Sequence, residues 1–174
     1  MSTALLVIDV QRSLLDEGPW QGDELLATVR QLIDRAREAG ALVVFIRDSR
    51  VEPDGSIDSS LHPLPGDLMV TKDFCDSFLD TGLHETLQAG GIGTLVVCGM
   101  QTDYCIDTTC RRAASLGYRV LLASDAHTTF DRDFLSAENI VRHHNQILGH
   151  FAAAAGSVRT IEADEVAFAG PRGP

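Results

Sequence analysis

The chain has 174 residues, a formal net charge of −11, 44% hydrophobic residues and 22% charged residues. This length is enough for a sizeable core, and we expect a single domain over residues 1–174. The acidic balance argues against nucleic acid or an anionic membrane surface as a partner, because both attract basic patches.

Short apolar runs predict six buried strands, in chain order at 4–8, 41–46, 68–70, 95–98, 118–123 and 158–161. Apolar residues at three- and four-residue spacing predict helices between them: one that follows Asp23 and ends at Gly40, then 81–89, then from near Thr102 to Gly117, and 136–155. Glycine and proline in 12–22 and 47–66 predict loops, and the tail 169–174 is expected to be loose or to pack against a partner.

The N-terminal segment carries neither a basic stretch nor a long apolar run, which does not fit a signal peptide. Nothing in the sequence approaches the ~18 apolar residues that a membrane span needs. The four cysteines, at 75, 98, 105 and 110, form no CxxC pair. We therefore expect reduced thiols in a cytoplasmic protein.

Strands that alternate with helices predict one doubly wound, Rossmann-like α/β domain, a parallel sheet with helices on both faces. Sites in such sheets form outside the carboxyl ends of the strands. Three chemically active side chains follow or end strands: Asp9, Lys72 and Cys105. Each alone has an ordinary structural explanation, but their coincidence predicts a functional site at this edge.

Cys105 lies in the predicted first turn of a helix, where unpaired N–H groups and the helix dipole favour the thiolate. A thiolate, a carboxylate and an ammonium group form a coherent hydrolytic set. The thiolate attacks a carbonyl, the carboxylate moves the proton and the ammonium group orients it. Backbone N–H groups before Cys105, that of Gln101 among them, are placed to bind the oxyanion.

Four stretches resemble the isochorismatase-like cysteine hydrolase superfamily: LLVIDVQ, VTKDFCDSF, LVVCGMQTDYCIDTT and LGYRVLLASDAHTT. The stretch DAHTTFDRDFLSAENIVRHHNQIL is similar to a nicotinamidase-related branch with streptothricin-hydrolase-like amidases. The resemblance implies Asp9 as general base, Lys72 as its electrostatic partner and Cys105 as nucleophile. It further implies a cis Met100–Gln101 peptide, oxyanion donors at Gln101 and Cys105, and a homodimer or larger homo-oligomer.

Nicotinamidases of this superfamily bind a metal through an Asp-x-His motif after the second strand. This chain has Arg-Asp-Ser-Arg at 47–50, without that histidine, so we expect no metal and no other cofactor. Asp48 and His62 are two scattered potential ligands, which make a poor site.

The expected substrate pocket includes five residues near the predicted strand ends: Gln11, Leu14, Trp20, Tyr104 and His127. Leu14 stands where many relatives carry an aromatic residue, which argues against specificity for an aromatic amide. His127 follows the fifth strand and is either a catalytic histidine or a structural residue near the site.

These features predict a hydrolase that cleaves a carbon–nitrogen bond of a small-molecule amide through a thioester. Two alternatives stay open. One is a vinyl-ether hydrolase of the isochorismatase type, with Asp9 as acid and Cys105 as bystander. The other is a non-catalytic binding or scaffold member of the same fold. Nucleotide and dinucleotide sites are disfavoured because GxGxxG and GxxxxGK[ST] loops are missing.

Overall fold

The structure, a computed structural model, describes residues 2–168. Six strands form one parallel sheet: β1 (Ser2–Ile8), β2 (Leu42–Asp48), β3 (Leu68–Lys72), β4 (Ile92–Met100), β5 (Arg119–Thr128) and β6 (Ser157–Ile161). Their order is β3-β2-β1-β4-β5-β6, so the strand order reverses between β1 and β4. The predicted doubly wound α/β fold is confirmed, and every predicted strand is present with shifted ends.

Among the described residues, five α-helices connect the strands: α1 (Arg12–Asp16), α2 (Gly22–Glu38), α3 (Leu83–Ala89), α4 (Asp107–Ser115) and α5 (Ala137–Leu148). Segment 12–22, predicted as a loop, contains α1. This helix is only five residues long, too short to show the apolar spacing that reveals a helix in the sequence.

The helix predicted over 136–155 ends at Leu148. Beyond it, the chain reverses through an isolated antiparallel pairing of Ala152 with Ser157 and enters β6. The alanine-rich run 152–155 has a high helix propensity. Pairing of β6 with β5 fixes where the chain must turn, and this tertiary constraint outweighs the local preference.

Apolar side chains cover both faces of the sheet. Because successive residues of a strand point to opposite faces, Leu6 and Ile8 of β1 pack into the core shared with α3 and α4. Leu5 and Val7 pack into the core shared with α2. Burial of β1 on both faces places the residue that follows it in the middle of the molecule.

Within residues 2–168, no helix combines the length and the apolar character needed to cross a bilayer. The C-terminal segment 169–174, expected to be loose or to contact a partner, lies outside the described residues. The homo-oligomer therefore stays a prediction.

Candidate active site

Asp9 directly follows β1, where the strand order reverses. Its N–H donates to the carbonyl of Ile46 at 2.8 Å. Its φ of 52° turns the chain out of the sheet in the left-handed conformation that aspartate tolerates better than most residues. The residue is only 2% exposed. A carboxylate at this depth needs a charged or hydrogen-bonding partner.

Lys72, the last residue of β3, supplies that partner. Its Nζ lies 2.8 Å from Asp9 Oδ2, 3.4 Å from Asp48 Oδ2 and 3.2 Å from Cys105 Sγ. β2 separates β3 from β1, a distance of ~10 Å between strand axes. The four-carbon stem of a lysine spans that gap while remaining entirely buried.

Cys105 lies in a π-helical turn, Thr102–Ile106, that joins β4 to α4. The N–H groups of Tyr104 and Ile106 both donate to the carbonyl of Gln101, at 3.2 and 3.1 Å. The second of these bonds spans five residues and widens the turn. The helix begins at Thr102 with Cys105 in its first turn, as predicted, but this turn is π-helical and α4 begins two residues after Cys105.

The peptide between Met100 and Gln101 is cis, as the resemblance implied. Gly99, one residue earlier, lies against the backbone at the end of β1. A Cβ atom at Gly99 would stand 2.0 Å from the carbonyl oxygen of Ile8, and its φ is +117°. Only glycine fits this approach, which brings the ends of β1 and β4 together.

Arg132 holds the outer side of the Cys105 turn. Its Nη2 donates to Gln101 Oε1 at 3.0 Å and to Asp103 Oδ2 at 2.8 Å. Its guanidinium group lies 5.1 Å from the centroid of the Tyr104 ring. Three residues of the turn region are thus tied to one side chain from the segment after β5.

Charge and burial set the protonation of the central cluster. Burial raises the pKa of Asp9, and the nearby Lys72 ammonium group only partly offsets that effect. For Lys72, burial is outweighed by attraction to Asp9 and Cys105, and its pKa is raised. Burial and the charge of Asp9 raise the pKa of Cys105. The raised thiol pKa is opposite in direction to the expectation that the turn favours the thiolate.

The Asp9 carboxylate lies close enough to the Cys105 thiol to exchange a proton with it. One of its carboxylate oxygens lies within 4.8 Å of Cys105 Sγ. Its Oδ1 atom is buried and has no hydrogen-bond partner among residues 2–168. One oxygen of Asp9 therefore binds the ammonium group of Lys72, while the other is free to accept.

Asp48 also belongs to the cluster, although we considered it in the sequence only as a metal ligand. It pairs in register with Lys72 across β2 and β3. Arg50 binds both of its carboxylate oxygens, at 2.9 and 2.6 Å. The pKa of Asp48 falls to about 2 because these bonds, the backbone N–H of Arg50 and the charge of Lys72 outweigh burial. The strand-end rule that identified Asp9 applies equally to Asp48.

A cavity of about 300 Å³ opens onto the cluster. Two of the predicted pocket residues, Leu14 and Tyr104, lie in its wall. The remaining lining residues are Asp9, Asp48, Arg50, Val51, Cys75, Gln101 and Cys105. The cavity therefore has an apolar side and a charged rim beside the sulfur.

Gln11 does not line this cavity, contrary to prediction. It is fully buried, and its Nε2 donates to the carbonyls of Asp48 at 3.0 Å and Gly55 at 2.8 Å. Its Oε1 accepts from the N–H of Asp48 at 2.9 Å. The side chain fastens the 47–66 loop to the end of β1 and so shapes the cavity indirectly.

Trp20 and His127 were also predicted to line the substrate pocket, and both lie in the wall of a separate cavity of about 230 Å³. Trp20 follows α1, which carries it away from Asp9. His127 comes after a register break. Val97 of β4 pairs with Leu122 and Gly99 pairs with His127, so β5 advances five residues while β4 advances two. This break turns the imidazole beneath the Cys105 turn.

One group of potential metal ligands occurs among residues 2–168. Donor atoms of Asp9, Asp48 and Cys105 lie within 4.8 Å of one another, and His62 is not among them. The Nζ of Lys72 contacts all three residues. A fixed ammonium charge among the donors does not fit a resident cation, and the absence of a metal stays a prediction.

The fold and the site together define a doubly wound α/β protein with a buried carboxylate–ammonium–thiol cluster where the strand order reverses. The family model of the isochorismatase domain matches residues 3–160. The chain therefore belongs to the isochorismatase family.

Individual relatives agree with this assignment. A streptothricin hydrolase of Streptomyces noursei is 38% identical over 138 residues, which cover 74% of this chain and 50% of that protein. Nicotinamidase 3 of Arabidopsis thaliana is 31% identical over 156 residues, covering 77% of each chain. A crystal structure of an isochorismatase from Pseudomonas putida superimposes with a TM-score of 0.86 at 28% identity, covering 95% of this chain and 90% of that one. The chain spans about half the length of the first of these relatives.

Proposed function

We propose that this chain is a cysteine-dependent amidohydrolase that cleaves a carbon–nitrogen bond of a small-molecule amide. The observation that carries the proposal is the convergence of three side chains from three strand ends. Lys72 Nζ lies 2.8 Å from a carboxylate oxygen of Asp9 and 3.2 Å from the sulfur of Cys105. A carboxylate beside a thiol is the arrangement that an activated nucleophile requires.

Acylation begins when Asp9 takes the thiol proton of Cys105 as the sulfur attacks the amide carbon. The N–H groups of Gln101 and Cys105 stabilise the oxyanion that forms. As the C–N bond breaks, the carboxylic acid of Asp9 returns the proton to the leaving nitrogen. The products of this half are a free amine or ammonia and a thioester on Cys105.

Deacylation uses the same groups. Asp9 takes a proton from water, and the resulting hydroxide attacks the thioester carbon. The C–S bond breaks, and Cys105 recovers its proton from Asp9. The sum is amide plus water to carboxylic acid plus amine. Lys72 stays protonated throughout and holds Asp9 in place.

The raised thiol pKa indicates how the nucleophile is activated. A resting thiol has to lose its proton during attack, so a base within reach is required. The unpartnered Oδ1 of Asp9 fits that role. The name of one relative, nicotinamidase, supports amide chemistry. A cavity of about 300 Å³ suits a small substrate.

A screen of small amides for release of ammonia or amine tests the proposal. We expect turnover by the unaltered chain and its loss in Cys105→Ala. Rapid quenching with a good substrate should yield an adduct on the peptide that contains Cys105. Cys110→Ala, at a buried cysteine of α4 outside the cavity, is the matched control and should retain turnover. Turnover that persists in Cys105→Ala would refute the thioester route.

A vinyl-ether hydrolase is the second candidate, and the raised pKa of Asp9, caused by burial, favours it. A carboxyl group that holds its proton more tightly is a better acid near neutral pH. In that case Cys105→Ala keeps its activity on a vinyl ether, and Asp9→Asn loses it. Binding of small molecules in the cavity without hydrolysis of either amides or vinyl ethers would indicate a non-catalytic member of the fold.

A further inference from the structure

A chain of buried hydrogen bonds links the Cys105 turn to β5 and α5. Thr102 Oγ1, in the turn, lies 2.9 Å from His127 Nδ1. His127 Nε2 lies 2.9 Å from Asn145 Oδ1. Asn145 Nδ2 in turn donates to the carbonyl of Ser124 at 2.9 Å. None of these residues takes part in the proposed reaction steps.

The carbonyl of Ser124, the last group in this series of hydrogen bonds, determines the donor and the acceptor in each of them. The carbonyl of Ser124 only accepts, so Asn145 must present its amino group there and its oxygen to His127. An amide oxygen also only accepts, so the proton of the neutral imidazole is on Nε2. His127 Nδ1 is then an acceptor, and the hydroxyl of Thr102 donates to it. Only the His127 tautomer with its proton on Nε2 satisfies all three hydrogen bonds.

Both ring nitrogens of His127 are thus engaged, and the ring is nearly fully buried at 3% exposure. It lines the cavity beside Trp20, not the one at Cys105. Burial lowers the pKa of His127 to about 4, although its bond to Asn145 opposes the shift. A neutral imidazole with no free nitrogen is unsuited to proton transfer, and its contacts indicate a mechanical role.

Thr102 connects His127 to the turn that contains Cys105. Thr102 directly follows Gln101, the proposed oxyanion donor, and begins the π-helical turn that contains Cys105. Thr102 is completely buried, so its hydroxyl and Nδ1 of the imidazole each lose a partner if the bond is broken. Misplacement of reacting groups by about 1 Å can cost ~100-fold in rate.

We propose that His127 is a positioning residue that holds the Gln101–Cys105 turn against Asp9 through its bond with Thr102. Asn145 fixes the His127 tautomer that makes this bond possible. The inference rests on the proposed function, since it assigns a role in aligning that site. In this proposal the inner side of the turn is held by an uncharged hydrogen bond between Thr102 and His127, whereas the charged side chain of Arg132 holds the outer side.

Thr102→Val and Thr102→Ser separate the hydroxyl from the shape of the side chain. Valine has nearly the volume of threonine but cannot donate, whereas serine keeps the donor. We expect Thr102→Val to lower kcat at least ~10-fold with KM changed less than ~2-fold, since the loss concerns alignment rather than binding. Thr102→Ser should recover most of kcat. Rates are normalised to the amount of folded protein.

Thr128→Val is the matched control. Thr128 is equally buried and follows His127 directly, but its hydroxyl donates to the carbonyl of Trp20. Thr128→Val should lower the free energy of unfolding but leave kcat unchanged. Equal losses of kcat in Thr102→Val and Thr128→Val, or a failure of Thr102→Ser to recover kcat, would overturn the proposal.

Two further readouts do not depend on turnover, so the anchor can be tested even if the chain cleaves no amide. Nitrogen NMR of labelled histidine should show His127 neutral with its proton on Nε2 at pH 7. The rate at which iodoacetamide alkylates Cys105 should change in Thr102→Val and return in Thr102→Ser. A proton on Nδ1, or identical alkylation rates in all three proteins, refutes the anchor. Lack of amide turnover with these two results intact refutes only the proposed function.

Discussion

Asp9 and Lys72 form a buried ion pair across an intervening strand, with Asp9 Oδ2 2.8 Å from Lys72 Nζ. The strand between them contributes Asp48, whose charge is balanced by Arg50. Asp9 with Lys72 and Asp48 with Arg50 therefore form two balanced ion pairs next to the cavity that Cys105 lines. Lys72 is therefore already paired with Asp9, and its charge only partly opposes the rise in the thiol pKa that burial causes.

Replacement of Asp9 should separate thiol reactivity from turnover. The charge of Asp9 raises the pKa of Cys105, second only to burial, while Lys72 lowers it. In Asp9→Asn, Cys105 should therefore be alkylated faster at pH 7.5, because loss of the carboxylate charge lowers the thiol pKa and increases the thiolate fraction. Amide turnover should fall by at least ~100-fold, because the base is lost.

Peptide mapping distinguishes Cys105 from the partly exposed Cys75 in this experiment. Asp16→Asn, at an exposed carboxylate, is the control and should leave both rates unchanged. Slower alkylation of Cys105 in Asp9→Asn would contradict the assignment of Asp9 as the group that disfavours the thiolate.

Removal of the ammonium group should destabilise the fold. Lys72→Met leaves Asp9 buried without its ion-pair partner, and breaking a buried pair costs ~3 kcal/mol. The double variant Asp9→Asn/Lys72→Met should recover part of this loss, because the unpaired carboxylate is gone. Urea unfolding gives the free energy of unfolding of the unaltered protein, both single variants and the double variant. Arg111→Met, which breaks the half-exposed pair with Asp107, should cost less than ~1 kcal/mol.

If Lys72→Met proves as stable as the unaltered protein, the pair does not neutralise a buried charge. If the double variant is less stable than either single variant, the two side chains are not coupled as the geometry indicates.

His127 should make stability depend on pH. Its pKa falls from 6.5 to about 4 in the folded protein because of burial, so the unfolded chain binds more protons between these values. Stability from this residue is present above pH 6.5 and is lost as the pH falls towards 4, up to about 3 kcal/mol in total. His127→Gln should remove this part of the pH dependence.

The comparison uses free energies of unfolding measured at pH 7.0 and 4.5 in both proteins, so that the carboxylate contribution cancels. His62→Gln, at an exposed histidine, should keep the pH dependence of the unaltered protein. If the free energy of unfolding changes with pH in His127→Gln as much as in the unaltered protein, the imidazole is not buried in its neutral form.

Gly99 should tolerate no side chain. A Cβ atom there meets the Ile8 carbonyl oxygen at 2.0 Å and requires a left-handed φ. Gly99→Ala should cost at least ~2 kcal/mol and move the β4 end away from Asp9, with loss of turnover. Gly66→Ala, where an added Cβ meets nothing within 4 Å, is the control. Full turnover in Gly99→Ala would contradict the tight approach of β1 and β4.

Chelators should leave turnover unchanged. The only clustered donors among residues 2–168, those of Asp9, Asp48 and Cys105, surround the ammonium group of Lys72. We therefore expect kcat/KM to be the same after exhaustive dialysis against EDTA. A loss that a divalent cation restores would show that the ammonium charge does not exclude a metal.

The strands and the central cluster could be predicted because both depend on local patterns. Doubly buried strands are continuous apolar runs, and parallel order brings their carboxyl ends to one edge. That rule was enough to bring Asp9 and Lys72 together. It also applies to Asp48, which the absence of a neighbouring histidine led us to discount.

The walls of the site could be predicted only in part: Leu14 and Tyr104 line the cavity, but the other walls depend on contacts between distant segments. Gln11 turns inward to bind the 47–66 loop, and no periodicity in the sequence reveals this. His127 is close to the predicted strand end, but a register break in β5 directs it to the far side of the turn. The wide turn at 102–106 likewise has no sequence signature that separates it from an ordinary helix start.

The raised thiol pKa of Cys105, caused by burial and by the charge of Asp9, also has a consequence for the durability of the protein. Peroxides oxidise thiolates far faster than thiols. In the proposed mechanism Cys105 loses its proton only when a substrate carbonyl is in place, so its sulfur is shielded from sulfenic and sulfinic acid formation between turnovers. Burial and the Asp9 carboxylate, which raise the thiol pKa, would then also protect the sulfur from oxidation.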